Sequence, residues 1–327
     1  MYKVAICGIT GAVGMEVLGV LQKLNFPISE LNLYASARSA GKEIEGNIVK
    51  EFTVEDAKNN DFIFLCVSGD FSKEYAKALT EGGGVVIDNS SAFRYEENVP
   101  LVVPEINAEA IGDAKLIANP NCTTAILAVA LYPIYKEFGL KKVIVSTYQA
   151  TSGAGQPAMD ELKVQTQVVL NGGEATCENF SYPIPFNLIP QIDQFQENGY
   201  TKEEMKVTWE TRKIFGEADL ALSCTAVRIP TFRAHSESVT IETEKSVDVV
   251  RVRELMEGAA GVKLVDDVEN AKYPMPLTAT YEYDVEVGRI RKNEVFGENG
   301  LDFFVCGDQL LKGAALNAVQ IALFLTQ

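Results

Sequence analysis

Histidine is almost missing from this 327-residue chain, occurring once, at His235. That excludes a metal site built from several imidazoles, so no metal is expected, and it leaves a single candidate for imidazole acid–base chemistry. Basic residues are in the minority, 29 Lys and Arg against 45 Asp and Glu, for a formal charge of −16. Nucleic acid and anionic membrane would be repelled over most of such a surface, so neither is an expected partner. A small anionic ligand remains compatible if a few Arg and Lys are focused in one place. The six cysteines, at 7, 66, 122, 177, 224 and 306, contain no CxxC pair, which points to reduced thiols and a cytoplasmic location. No apolar run reaches membrane-spanning length, and the N-terminus enters a strand-like run without a signal-peptide pattern.

What is present is a core-forming chain, 47% hydrophobic and long enough for two domains. Lys3 to Cys7 reads as a strand, Gly8-Ile-Thr-Gly-Ala-Val-Gly14 as a glycine turn, and Met15 to Leu24 as a helix. Glycines at 8, 11 and 14 suit a tight turn and a close approach to a pyrophosphate lying over the helix N-terminus. The GxxGxxG spacing is a weak signal by itself, but its place in an opening βα unit strengthens it. The next strand, Leu31 to Ala35, runs into Ser36-Ala-Arg-Ser39. A basic residue there suits the 2′-phosphate of NADP, where NAD calls for an acid. Strand-like runs at 62–67, 85–88, 101–103 and 116–118 alternate with helical or loop segments, which predicts a Rossmann-type, doubly wound parallel sheet. Ser68-Gly-Asp70 and Asn89 to Arg94 follow two of these strands, at the carboxyl ends where ligands collect.

The second half is less regular. Strands are expected near 141–149, 219–229, 238–244 and 301–306, and helices near 156–170 and 202–215, giving an α+β arrangement with a mixed sheet. The alternation in Ser238 to Glu244 leaves one face packed and the other wet or at a subunit contact. Residues 171–173 and 182–190 read as loops, and an apolar helix closes the chain near 313–325. The expected division is 1–124 for cofactor binding, with 308–327 returning to it, and 125–307 for catalysis and dimerisation.

Asn119-Pro-Asn-Cys-Thr-Thr124 places Cys122 at the start of a Pro-interrupted apolar helix. The positive end of the macrodipole favours a thiolate there, although a lone Cys in an apolar segment is also an ordinary core residue. Glu210-Thr-Arg-Lys213 sets a carboxylate and an ammonium on one helix face, which by itself could be a solvated i,i+3 pair. Arg228 and His235 share one short strand-and-loop segment. Small residues from Thr147 to Gly155 leave room for a flat ligand near Gln149 and Gly153.

Together these pieces resemble aspartate-semialdehyde dehydrogenases over essentially the whole chain. The resemblance is carried by the glycine turn, Asn119 to Thr124, Tyr148 to Gly155, Glu210 with Lys213, Arg228-x-Pro with His235, and Gly307-Asp-Gln309. The short spacing between motifs resembles the Gram-positive-type branch. The resemblance implies Cys122 as nucleophile, His235 as general acid/base and Gln149 as an orienting partner. It implies Arg228 on the substrate α-carboxylate, Glu210 on its α-ammonium, and Arg94, Asn121 and Lys213 on the phosphate. For NADP it implies contacts from Gly8, Thr10, Gly11, Ala12, Val13, Gly14, Ser36, Arg38, Ser39, Ser68, Ser152, Gly153 and Gln309. Asp70 departs from the small residues expected in the nicotinamide loop. The implied reaction is NADPH-dependent reduction of L-aspartyl-4-phosphate through a cysteine thioester, serving lysine, diaminopimelate, threonine, methionine and isoleucine biosynthesis, in a homodimer or homotetramer. Glu210 argues against N-acetyl-glutamyl phosphate as substrate, whose acetylated amine gives a carboxylate no charged partner. The other alternative is a non-catalytic NADP-binding sensor.

Overall fold

The structure is a computed structural model and describes residues 1–326. The chain forms two compact units, Met1–Asn121 with the C-terminal segment from Ala314, and Cys122–Gly313.

The first unit begins with β1 (Tyr2–Cys7), α1 (Ala12–Lys23) and β2 (Ile28–Ala35). A small hairpin, β3 (Glu43–Ile44) and β4 (Asn47–Ile48), precedes β5 (Lys50–Glu51) and the short α2 (Val54–Ala57). Then come β6 (Phe62–Leu65), α3 (Gly69–Thr80), β7 (Val85–Asp88), α4 (Pro104–Asn107) and β8 (Leu116–Ala118). The sheet order is β5-β2-β1-β6-β7-β8, with every pairing parallel. Its strands are buried on both faces, as their apolar runs require: Phe62–Leu65 has no exposed residue. The chain steps from β1 to β2 on one side and resumes at β6 on the other, so the crevice beyond β1 and β6 is a topological switch point. Residues 101–103, expected as a strand, make only a single bridge from Leu101 to Ala118.

The second unit starts with α5 (Cys122–Phe138), which carries Pro133 inside it, and continues through β9 (Lys142–Gln149) and α6 (Gln156–Leu170). Residues 171–201 hold no helix or named strand. The chain goes on through α7 (Lys202–Phe215), β10 (Ala221–Arg228), β11 (His235–Glu242), α8 (Val249–Gly258), β12 (Val262–Leu264), α9 (Pro276–Ala279), β13 (Val285–Lys292) and β14 (Gly300–Gly307). The order β10-β9-β11-β14-β13-β12 is mixed: the outer pairs are parallel and the inner three antiparallel. Helix α7 is firmly started by a capping box, Thr201 with Glu204, and stopped by Gly216 in the left-handed conformation. Gly307 lets α5 lie close on β14, because a Cβ there would sit 3.0 Å from the Ile126 side chain.

Helix α10 (Leu316–Phe324) belongs to the first unit. Asn317 anchors it, donating to Val102 O at 2.8 Å and to Asn119 Oδ1 at 2.6 Å. Among the described residues no helix is long and apolar enough to cross a membrane.

Candidate active site

In the first unit the glycine turn is dictated by sterics. Gly8 has φ +88°, and a Cβ on it would lie 2.2 Å from Cys66 O; a Cβ on Gly14 would lie 2.4 Å from Gly8 O. Thr10, Gly11, Ala12 and Val13 complete the turn into α1, whose N-terminus has no side-chain cap and so keeps its N–H groups for a ligand. A cavity of about 650 Å³ opens beside it, bordered by Gly8, Ser36, Arg38 and Ser68. No acid follows β2, and Arg38 makes no ion pair or hydrogen bond among the described residues. This donor set fits a dinucleotide with a 2′-phosphate. Glu51 lies in the same cavity, in register with Ala35. Ser39 is half-buried just beyond. Ser68 caps α3, accepting from Phe71 N at 3.4 Å, and Asp70 occupies that helix's first turn, where a negative charge meets the positive end of the dipole. Asp70 therefore has a local structural role.

Arg94 is buried and braces two strand ends, its Nε donating to Asn119 O at 2.8 Å and its Nη2 to Asn89 O at 2.9 Å. Asn121, also buried, ends the first unit.

The chemistry concentrates in the second unit. Cys122 is the first residue of α5, and its Sγ lies 3.5 Å from His235 Nε2. The other half-fixed side of the pair is the ring: Ala150 N–H donates to His235 Nδ1 at 3.1 Å. A neutral imidazole accepting at Nδ1 carries its proton on Nε2, so the ring presents a donor toward the sulfur. His235 is fully buried, and burial, with the Arg228 guanidinium adding to it, pushes its pKa down to about 3. Gly313 gives Cys122 its room, since a Cβ at 313 would fall 2.7 Å from Cys122 Cβ. Burial pushes the thiol of Cys7 up to about 12 and that of Cys306 likewise, and raises Cys66 and Cys224. Those four thiols stay protonated and inert at neutral pH.

Gln149 ends β9 and sits between fixed partners. Its Oε1 accepts from the Thr147 hydroxyl at 2.9 Å, its Nε2 donates to Glu203 Oε1 at 3.2 Å, and that nitrogen is 3.5 Å from His235 Nε2. Arg228, at the end of β10, donates to Ala150 O at 2.6 Å and borders a cavity of about 250 Å³ that is also bordered by Asn179, Ser181, Gln191 and Asp193. Gly153 fits against both functional groups: a Cβ there would be 3.0 Å from Arg228 Nη1 and 3.3 Å from His235 Nε2. Ser152 and Gln309, expected as cofactor contacts, are buried and hydrogen-bonded to each other, and Gln309 Oε1 accepts from Ala234 N at 2.8 Å. They brace the corner before His235, where Ala234 is held at φ +67°.

One expectation changes place. The carboxylate that reaches Gln149 is Glu203, not Glu210, and the ammonium beside it is Lys206, not Lys213. Lys206 Nζ is 3.0 Å from Glu203 and 2.8 Å from Asp193. Burial opposes its charge, but the two carboxylates outweigh that and hold its pKa up. Glu203 acts on the titration of both Arg228 and His235. Glu210 and Lys213 lie seven residues further along the same helix, about 10.5 Å up its axis, with Glu210 fully buried. The sequence carries two carboxylate–ammonium pairs at i,i+3 on almost the same face of α7, and the spacing alone does not say which one meets β9. Glu203, Lys206, Thr147 and Gly313 were missed; Glu203-Glu-Met-Lys206 was the available signal for two of them.

A parallel dinucleotide-type sheet in one unit and a thiol–imidazole pair on a mixed sheet in the other define a thiol-dependent, nicotinamide-linked dehydrogenase. Comparison with known families agrees: residues 3–114 match the semialdehyde dehydrogenase NAD binding domain and residues 131–312 the semialdehyde dehydrogenase dimerisation domain. The chain belongs to the aspartate-semialdehyde dehydrogenase family. It is 49% identical to the aspartate-semialdehyde dehydrogenase of Aquifex aeolicus, covering 98% of this chain and 97% of that one. It is 46% identical to that of Bacillus subtilis, covering 98% and 96%. The solved structure of aspartate semialdehyde dehydrogenase II from Vibrio cholerae, complexed with ASA, superposes with a TM-score of 0.95 at 44% identity, covering 100% of this chain and 98% of that one. Such even identities do not require a specifically Gram-positive branch.

Proposed function

We propose that this enzyme reduces L-aspartyl 4-phosphate to L-aspartate 4-semialdehyde, with release of phosphate, through a thioester on Cys122. The observation that carries the residue assignment is the 3.5 Å approach of Cys122 Sγ to His235 Nε2 at the first residue of α5. The helix N-terminus and the Nε2–H donor both favour negative charge on sulfur, which makes the thiolate the attacking group. Attack on the acyl carbon forms the C–S bond and expels phosphate. When bound, NADPH supplies the hydride that reduces the acyl carbon of the thioester. His235 Nε2–H and the first-turn N–H groups of α5 are the donors available to the oxyanion that develops there, and collapse returns the thiolate.

Arg228 is the group for the α-carboxylate and Glu203 for the α-ammonium, with Lys206 holding Glu203. A free ammonium adds a charged partner for Glu203 that an N-acetylated substrate lacks, which speaks against the latter. Arg94 and Asn121 are the phosphate contacts in this reading. Gly8, Thr10, Gly11, Ala12, Val13 and Gly14 would hold the pyrophosphate of NADP, and Ser36, Arg38 and Ser39 its 2′-phosphate. The first unit is thus the NADP-binding domain and the second the catalytic and dimerisation domain. The protein works as a homodimer: exposed Phe186, Leu188 and Phe195 in the dimerisation domain are apolar surface that association would cover. A tetramer is the finer alternative. No cysteine among the described residues forms a disulfide, which supports a cytoplasmic setting.

Cys122→Ala is expected to abolish phosphate-dependent NADP reduction by aspartate semialdehyde while leaving NADP affinity, measured by calorimetry, within about twofold. Retained turnover would contradict the assignment.

A further inference from the structure

Strand β11 carries a second buried titratable group two residues beyond His235. Glu237 is 0% exposed, and neither carboxylate oxygen has a hydrogen-bond partner among the described residues. Burial alone raises its pKa well above the usual carboxyl range. An ionised carboxylate without a partner in such a place would cost several kcal/mol, so the group is a neutral acid with an O–H to donate.

Its surroundings narrow where that proton can go. Strand alternation puts Glu237 on the face that carries His235. In register it stands opposite Val305 of β14, which offers no side-chain acceptor, and opposite Thr147 of β9. Directly paired side chains of this kind have Cβ atoms about 5 Å apart. Of the other polar groups near it, Cys224 of β10 is a buried thiol and a weak acceptor. Glu204 of α7 already accepts from Thr201 N at 2.6 Å and from Ala226 N at 2.9 Å. Thr147 has spent its only proton on Gln149 Oε1, which leaves its oxygen able to accept.

We propose that Glu237 is a positioning residue: as a neutral acid it donates through one internal water to Thr147 Oγ1, and so fixes the orientation of the Gln149 amide. The chain then runs Glu237 to Thr147 to Gln149 Oε1, with Gln149 Nε2 left to donate to Glu203 Oε1. Without the donor at its head, the Thr147 hydroxyl is free to rotate and the amide can turn over, which sets its oxygen against Glu203. This inference rests on the reading of Gln149 and His235 as parts of the active site.

The test uses Glu237→Leu, Glu237→Gln and Thr147→Val in the full-length enzyme. Glu237→Leu removes a buried acid, so its melting temperature should equal or exceed that of the wild type, while kcat falls about tenfold with KM for aspartate semialdehyde nearly unchanged. Glu237→Gln keeps a donor and should restore most of kcat, and Glu237→Leu should cost nothing further in a Thr147→Val background. If Glu237→Leu does not fold, Glu237→Met carries the same comparison. Independently of turnover, the infrared difference spectrum between wild type and Glu237→Gln should contain the C=O stretch of a protonated carboxyl. Wild-type kcat in Glu237→Leu, full additivity with Thr147→Val, or a carboxylate band in place of the carboxyl band overturns the proposal. Failure of the wild type to act on aspartate semialdehyde would instead count against the functional reading.

Discussion

The two units present their functional edges by different means. In the first, the turn after β1 is backbone: Gly8 and Gly14 are where they are because a Cβ would strike a carbonyl oxygen, 2.2 Å and 2.4 Å away. In the second, the site is side chains whose orientations depend on one another, from Ala150 N–H on His235 Nδ1 to Thr147 on Gln149 and Gln149 on Glu203. A backbone site announces itself through glycine, because few other residues tolerate the geometry. A side-chain site announces itself only where the residue type is scarce. The difference also sets how each should fail: loss of a contact in the first unit weakens binding, whereas loss of one in the second disturbs several neighbours at once.

The largest effect that separates the two kinds of site should come from Glu203. Glu203→Gln removes the negative charge beside Arg228, leaves Lys206 with Asp193 alone, and should lower kcat/KM about 10²-fold. Glu210→Gln, two turns along α7, should chiefly lower the melting temperature and leave kcat/KM within a few-fold. Steady-state kinetics and thermal melts on both variants decide it; a larger kinetic loss at Glu210 would return the ammonium site to that residue. Next in size, Arg38→Ala should weaken NADP binding about tenfold and NAD binding little. Equal losses for the two cofactors, read by calorimetry, would shift the ribose contact toward Glu51. A separate readout is the pH dependence of stability. The folded state keeps His235 neutral down to about 3, while the unfolded imidazole protonates below 6.5. The stability this ring contributes is present above pH 6.5 and declines as pH falls toward 3, by up to about 1.4 kcal/mol per pH unit. Urea unfolding of wild type and His235→Asn across that range should show the wild type losing more; parallel slopes would mean that the ring is not held neutral.

Much of this was legible in the sequence, and the reasons differ by region. The parallel sheet showed in its short apolar runs, and Cys122 and His235 could be singled out because one stands at a helix start and the other is the chain's single histidine, although the cysteine alone also read as a core residue. Strands β12 and β13 and helix α8 were not foreseen. In β13, Val285-Glu-Val-Gly-Arg-Ile-Arg-Lys292, the period of two is hidden by the buried Glu286, which is held by Thr278 at 2.6 Å and Lys263 at 3.2 Å. A register shift between Gly288 and Arg291 breaks it again. Glu203 was not legible because α7 offers the same pair twice, and only its packing on β10 and β9 chooses between them. Gly313 acts through a contact with Cys122 made far along the chain, for which no local pattern exists, and the Thr147 bond to Gln149 is an i,i+2 contact on one strand face that no motif marks.

Acylation of Cys122 is the step on which the other assignments depend. It is tested most directly by mixing the enzyme with aspartate semialdehyde and NADP in the absence of phosphate, then mapping the quenched protein by mass spectrometry. The expected result is a burst of NADPH stoichiometric with sites and an aspartyl adduct on the peptide containing Cys122, discharged when phosphate is added. A burst without that adduct, or an adduct on any other residue, would contradict it.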